Sequence, residues 1–167
     1  MKLREIVMML AVAAGLCVPA MAQEQALVTI RVLAPETALQ LAQAAMNACR
    51  EQGYQVAVSV VDRMGVPQVM LRDRLAGPHT PETAASKART AVSFRSDTLS
   101  MSDITRPNAP QFGARFIPGA MMLGGGVPVE AGGFIVGGVG VSGGPGGKAD
   151  DACARAGIKS IEEKLTF

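Results

Sequence analysis

A valine-rich run over residues 55–62 (Val56, Val58, Val60, Val61) is followed by Arg63-Met64-Gly65 and then by a second strand-like stretch at 67–73. Two such runs joined by a short glycine-containing turn read as a β-hairpin. A hairpin commits both strands to antiparallel pairing, so the domain around it is a sheet of sequence neighbours and not a series of βαβ crossovers.

The flanking sequence supplies the other elements. Alternation at Val28, Ile30 and Val32 predicts a half-buried strand. Pro35 suits the first turn of a helix whose Ala38, Ala42, Ala45, Met46 and Cys49 share one face, and Gly53 stops it. Beyond the hairpin, Thr80-Pro81-Glu82 provides an N-cap, a first-turn proline and an early acid for a helix running to about Phe94, and Ala84, Ala88 and Ala91 predict close packing. Residues 95–119 read as irregular, punctuated by Pro107, Pro110 and Pro118; long loops of that kind are usually functional or mobile. Residues 121–123, 127–129 and 134–142 read as strands, the last two joined by Gly132-Gly133. Asp150 or Asp151 caps a final helix with the apolar stripe Ala154, Ile158, Ile161 and Leu165. The order β-α-β-β-α-β-β-α defines the expected fold class: a single α/β domain of the α+β kind, with a central, mainly antiparallel sheet and helices packed against it.

Residues 1–22 carry a different signal. Lys2 and Arg4 make a short basic region, residues 6–18 an apolar run, and Ala20-Met21-Ala22 a small-x-small cleavage site, the pattern of a secretory signal peptide cut after Ala22. The run is shorter than the roughly 20 apolar residues a bilayer core requires, so no stable membrane anchor is expected. Cys17 would invite lipidation, but Leu16 places a bulky side chain where a small one is needed. The expected organisation is a signal peptide, 1–22, and one domain, 23–167, working in the periplasm or outside the cell. Removing Lys2, Arg4 and Glu5 from 16 basic and 14 acidic residues leaves 14 against 13, a balance of +1. The basic footprint of a nucleic-acid binder is absent, and with no tryptophan a base- or sugar-stacking platform is disfavoured too. Small molecules or proteins are the expected partners.

Two cysteines lie beyond the cleavage site, Cys49 and Cys153, each in a predicted helix. In an oxidising compartment they can pair; as two buried free thiols they would pack as small apolar side chains. Both readings stay open on sequence.

Gly138-Val139-Gly140-Val141-Ser142-Gly143 matches the G-x-G-x-x-G string of dinucleotide-binding folds. Its first two glycines fall inside a predicted strand, and no parallel strand follows to complete a βαβ unit, so a glycine-rich strand end is the better reading. His79 is the single histidine. It cannot build a zinc site without several partners, but haem iron needs only one or two protein ligands. Arg72, Arg74, Lys87 and Arg89 could neutralise carboxylates, such as haem propionates, or form a solvated face. No Gly-x-Ser-x-Gly elbow supports hydrolase chemistry.

Val58-Ser59-Val60-Val61-Asp62 with Gly65, Thr80-Pro81-Glu82-Thr83-Ala84 through Lys87-Ala88-Arg89-Thr90-Ala91, Gly124-Gly125-Gly126-Val127-Pro128, and Gly137-Gly138-Val139-Gly140-Val141-Ser142-Gly143 followed by Asp150-Asp151 and Ala154 together resemble the GlcG/HbpS family. The resemblance runs in order across roughly residues 34–161. It implies an antiparallel α/β domain, homo-oligomers, and haem as ligand, since the family includes extracellular haem-binding and haem-degrading proteins, and a related domain binds haem through a histidine. This sequence lacks the Glu-x-x-Glu iron motif of the haem-sensor members, so the resemblance does not extend to iron binding by paired glutamates. It singles out His79 as axial ligand of haem iron, with Arg72, Arg74, Lys87 and Arg89 as partners for the propionates. Two other functions remain: an enzyme or accessory subunit acting on a small carboxylated metabolite held by Arg72, Lys87 and Arg89, and an oligomeric interaction protein without a ligand.

Overall fold

The computed structural model describes residues 26–166; the signal-peptide reading of residues 1–22 lies outside them. The chain clusters into two units, Met1–Ile30 and Arg31–Phe167, and every helix and strand described belongs to the second. In order these are α1 (Pro35–Glu51), β1 (Ala57–Asp62), β2 (Pro67–Arg72), α2 (Thr80–Phe94), α3 (Thr98–Ile104), a 3-10 turn (Phe112–Phe116), β3 (Gly126–Ala131), β4 (Phe134–Ser142), α4 (Gly147–Lys159) and a second 3-10 turn (Glu162–Leu165). The four strands form one antiparallel sheet in the order β2-β1-β4-β3. The expected α+β class with its antiparallel sheet is the fold observed.

Alternation along the strands divides the sheet into two unlike faces. Val58, Val60, Val127, Val129, Val139 and Val141 join Leu41, Ala42, Ala45, Cys49, Cys153 and Ala154 of α1 and α4 in the main apolar core. On the opposite face, Gly126, Gly138 and Gly140 beside Ser59 leave room for close approach, and α2 lies directly on it. A Cβ on Gly140 would stand 1.9 Å from the Ala84 carbonyl oxygen, and one on Gly126 2.3 Å from that of Lys87. Ala84, Ala88 and Ala91 on α2 are fully buried. The alternating glycines of β4 therefore serve helix-to-sheet contact, which is why the string resembles a nucleotide fingerprint without being one.

Cys49 and Cys153 are bonded, joining α1 to α4 across 104 residues with their Cα atoms 5.5 Å apart. Of the two readings left open by the sequence, the disulfide is the one observed.

Four expectations need correction. Residues 28–32 form no strand, and Val28, Ile30 and Val32 are exposed. β1 occupies the side of β4 from Gly137 onward, leaving only the start of β4 free, where the Leu33 N–H donates to the Val136 carbonyl at 3.2 Å. Residues 121–123 likewise form no strand. The 95–119 stretch, expected to be irregular, contains α3, capped by Asp97, whose carboxylate accepts from the Ser100 N–H at 2.8 Å. Finally, the cap positions shift. His79 precedes α2, while the Thr80 hydroxyl turns back to donate to Gly77 at 2.7 Å. Gly146 precedes α4, and Asp150 and Asp151 lie buried within that helix.

Candidate functional site

The predicted site residues fall into three separate places. The first is the loop between β2 and α2. Asp73 ties it down: its carboxylate accepts from Arg50 Nε at 2.8 Å and from the Val56 N–H at 3.2 Å. The Ala76 N–H bonds back to the Asp73 carbonyl at 3.1 Å, the Thr80 N–H to that of Gly77 at 3.0 Å, and the Arg72 guanidinium donates to the Ala76 carbonyl. His79 sits at the end of this braced loop. Its carbonyl accepts from the Thr83 N–H and hydroxyl, which fixes its backbone. Its ring rests against Gly77, where a Cβ would come within 3.0 Å of Cε1. The imidazole is exposed and makes no hydrogen bond or ion pair among the described residues. Arg72, the last residue of β2, and Arg74 on the loop are exposed, as is Leu75, at 78%. An imidazole can ligate a haem iron, and guanidiniums can pair with carboxylates. Among the described residues, no group of three or more His, Cys, Asp or Glu side chains is placed to hold a bare metal ion.

The second place is the interior. Lys87 Nζ donates to Asp150 Oδ2 at 2.8 Å and to the Val141 carbonyl at 2.9 Å, with the two side chains 3% and 5% exposed. Asp150 also accepts from the Gly144 N–H at 2.8 Å. Lys87 is thus a pin between α2, the end of β4 and α4, and its charge is already spent on Asp150. The expectation that it meets a propionate or another carboxylate ligand is not met by its placement. The neighbouring Asp151 takes Arg155 at 2.7 Å, with Asp97 approaching the same guanidinium at 3.6 Å. The hydrogen bond that Arg155 donates to Asp151, reinforced by the negative charges of Asp151 and Asp97 and opposed by desolvation, raises the Arg155 pKa above its ordinary value.

The third place is the other end of α2. Arg89 is ten residues from His79, about 15 Å along the helix axis at 1.5 Å per residue, so the two are not parts of one compact site. Instead Arg89 lines a cavity of about 600 Å³ together with Arg63, Arg95, Glu130, Met64 and Phe134. The hairpin turn that delivers Arg63 is an Asx turn, with Asp62 Oδ1 accepting from the N–H groups of Met64 and Val66 at 2.8 and 2.9 Å. Arg63, Arg95 and Glu130 escaped the sequence reading because three different elements bring them to this cavity. Asp62 and Gly65 flanking the turn were the one local signal that Arg63 is held in place.

This fold and these sites define a small α+β domain equipped to bind a small molecule at its surface. The chain belongs to the family described as haem degrading protein HbpS-like, whose model matches residues 33–159. Its structure is similar to that of a double mutant of Streptomyces reticuli HbpS, with 38% identity and a TM-score of 0.78 over 86% of this chain and 96% of that one. It is also similar to PduOC solved as a haem complex, with 30% identity and a TM-score of 0.72 over 78% of this chain and 95% of that one. By sequence, it is 35% identical over 107 residues to the corrinoid adenosyltransferase PduO of Salmonella typhimurium, a match that takes in 63% of this chain and 32% of that protein. The chain thus spans about a third of the length of that relative.

Proposed function

We propose that this protein binds haem at the β2–α2 loop, with His79 as axial ligand and Arg72 and Arg74 facing the propionates. The observation that carries the reading is membership of the HbpS-like family together with likeness over 78% of the chain to a relative solved with haem. The geometry supports it: His79 is the single histidine, its ring is exposed and unbonded, and the braced backbone around it means little ordering is left to be done on binding. When bound, haem supplies a redox-active iron. The protein's own part would be to offer an imidazole nitrogen of His79 to the iron, apolar surface at Leu75 to the ring, and Arg72 and Arg74 to the carboxylates. Arg89 and Lys87 take no part in this site.

The protein works outside the cytoplasm as a homo-oligomer in this reading. The signal-peptide pattern of residues 1–22 and the Cys49–Cys153 bond support export, because disulfides persist in oxidising compartments. Titration of the purified protein with hemin, alongside native mass measurement, tests the reading. A saturable Soret band is expected, shifted and weakened in His79→Ala. Sequestration leaves that band intact under a reductant and oxygen, whereas degradation bleaches it. The absence of a Soret shift in the parent protein, or an identical spectrum and affinity in His79→Ala, would refute the assignment.

A further inference from the structure

We propose a second ligand site, independent of His79: the cavity at the C-terminal end of α2 binds a small organic anion that carries at least two carboxylates and a hydroxyl. The cavity, about 600 Å³, is of the size that holds metabolites. Three guanidiniums line it: Arg63 from the hairpin turn, Arg89 from α2 and Arg95 from the residue that ends α2. None of the three forms an ion pair among the described residues, and Glu130 is the one carboxylate in the lining. Three cations gathered around a single carboxylate raise the local potential and favour a ligand with more than one negative group. Planar guanidiniums bind carboxylates through paired hydrogen bonds.

One of the arginines is also held in place. Arg89 packs its stem over Gly65 and donates from Nε to the Gly65 carbonyl at 3.4 Å. Arg95 adopts φ 53° and ψ 38°, the left-handed conformation at which helices ordinarily place glycine. A long side chain there is unfavourable for the backbone, and its guanidinium in the cavity gives it a use. The remaining lining decides the ligand's other groups. Met64 and Phe134, 73% and 61% exposed, offer apolar surface to a carbon skeleton, which inorganic phosphate lacks. Glu130 repels an anion beside it but accepts a hydrogen bond from a hydroxyl.

Calorimetric titration of the purified protein with citrate, with inorganic phosphate as the comparison, tests the site. Saturable citrate binding at one per chain is expected, and phosphate should bind more weakly. Arg95→Gly separates binding from folding, because glycine suits this backbone: citrate affinity should fall by about tenfold or more while the urea midpoint holds or rises. Arg89→Gln should weaken citrate similarly. His79→Ala should alter hemin binding and leave citrate affinity unchanged, so failure of the haem reading would leave this one standing. Absence of saturable citrate binding, undiminished binding in Arg95→Gly, or phosphate binding as tightly as citrate would each overturn the proposal.

Discussion

Replacing Gly140 by alanine adds one methyl group where, among the described glycines, the least room is left for it. That carbon would stand 1.9 Å from the Ala84 carbonyl oxygen and 2.8 Å from the Ala88 nitrogen, where ordinary contact begins at 3.4 Å. The helix must therefore lift by 3.4 − 1.9 = 1.5 Å. Both opposing atoms are backbone, so no rotamer change relieves the clash. Overpacking a close-packed interface usually costs about 1–3 kcal/mol, and a displaced helix belongs at or above the top of that range. With a urea slope of about 1.5 kcal/mol per M, a loss of about 3 kcal/mol lowers the midpoint by about 2 M. Two companions calibrate the result. At Gly138 the nearest atoms are Val92 Cγ2 at 2.7 Å, which can swing aside, and the Ala88 oxygen at 3.0 Å, so Gly138→Ala should cost about 1 kcal/mol. At Gly113 nothing lies within 4 Å, and the change should stay within about 0.5 kcal/mol. Ala84→Gly should not rescue Gly140→Ala, because the obstructing atom is the carbonyl oxygen. A Gly140→Ala midpoint within about 0.7 M of the parent, equivalent to about 1 kcal/mol, would refute the account of the glycine-lined face.

Two further outcomes follow from the buried links. Reduction, or a Cys49→Ala/Cys153→Ala pair, opens a loop of 104 residues and should lower stability by up to about 4.7 kcal/mol on the chain-entropy model, read as the urea midpoint with and without reductant; an unchanged midpoint would contradict it. Lys87→Met alone leaves Asp150 buried without its partner and should cost about 3–5 kcal/mol, whereas Lys87→Met/Asp150→Leu should recover much of that loss in the same assay. Equal stability of the single and double variants would show that the ion pair does not hold α2 to α4.

What was legible in the sequence was what repeats locally. The face of α1, the hairpin and the glycine-jointed β3–β4 pair all follow from periods of 3.6 and 2 and from turn residues. The exposed alternation at Val28, Ile30 and Val32 misled because period alone does not reveal whether a partner strand has a vacant edge. α3 was missed because seven residues carry too short a pattern, although Asp97 was a cap signal in plain view. At the sites, exposure and position of His79 at the head of α2 were readable. The fate of Lys87 was not, since Asp150 stands 63 residues away and an aspartate near a helix start reads equally well as a cap. Arg63 and Arg95 were invisible for the same reason: their shared cavity exists only once the hairpin and α2 are packed.

The cystine between Cys49 and Cys153 makes the intervening chain a covalent circle, with all four strands, α2 and α3 on its circumference and the rest of the polypeptide as two tails. A protease that nicks the proline-rich 105–120 segment therefore releases no fragment. It converts the circle into two pieces joined through the disulfide, and both travel together until a thiol opens the link. The first cut leaves the molecule in one piece.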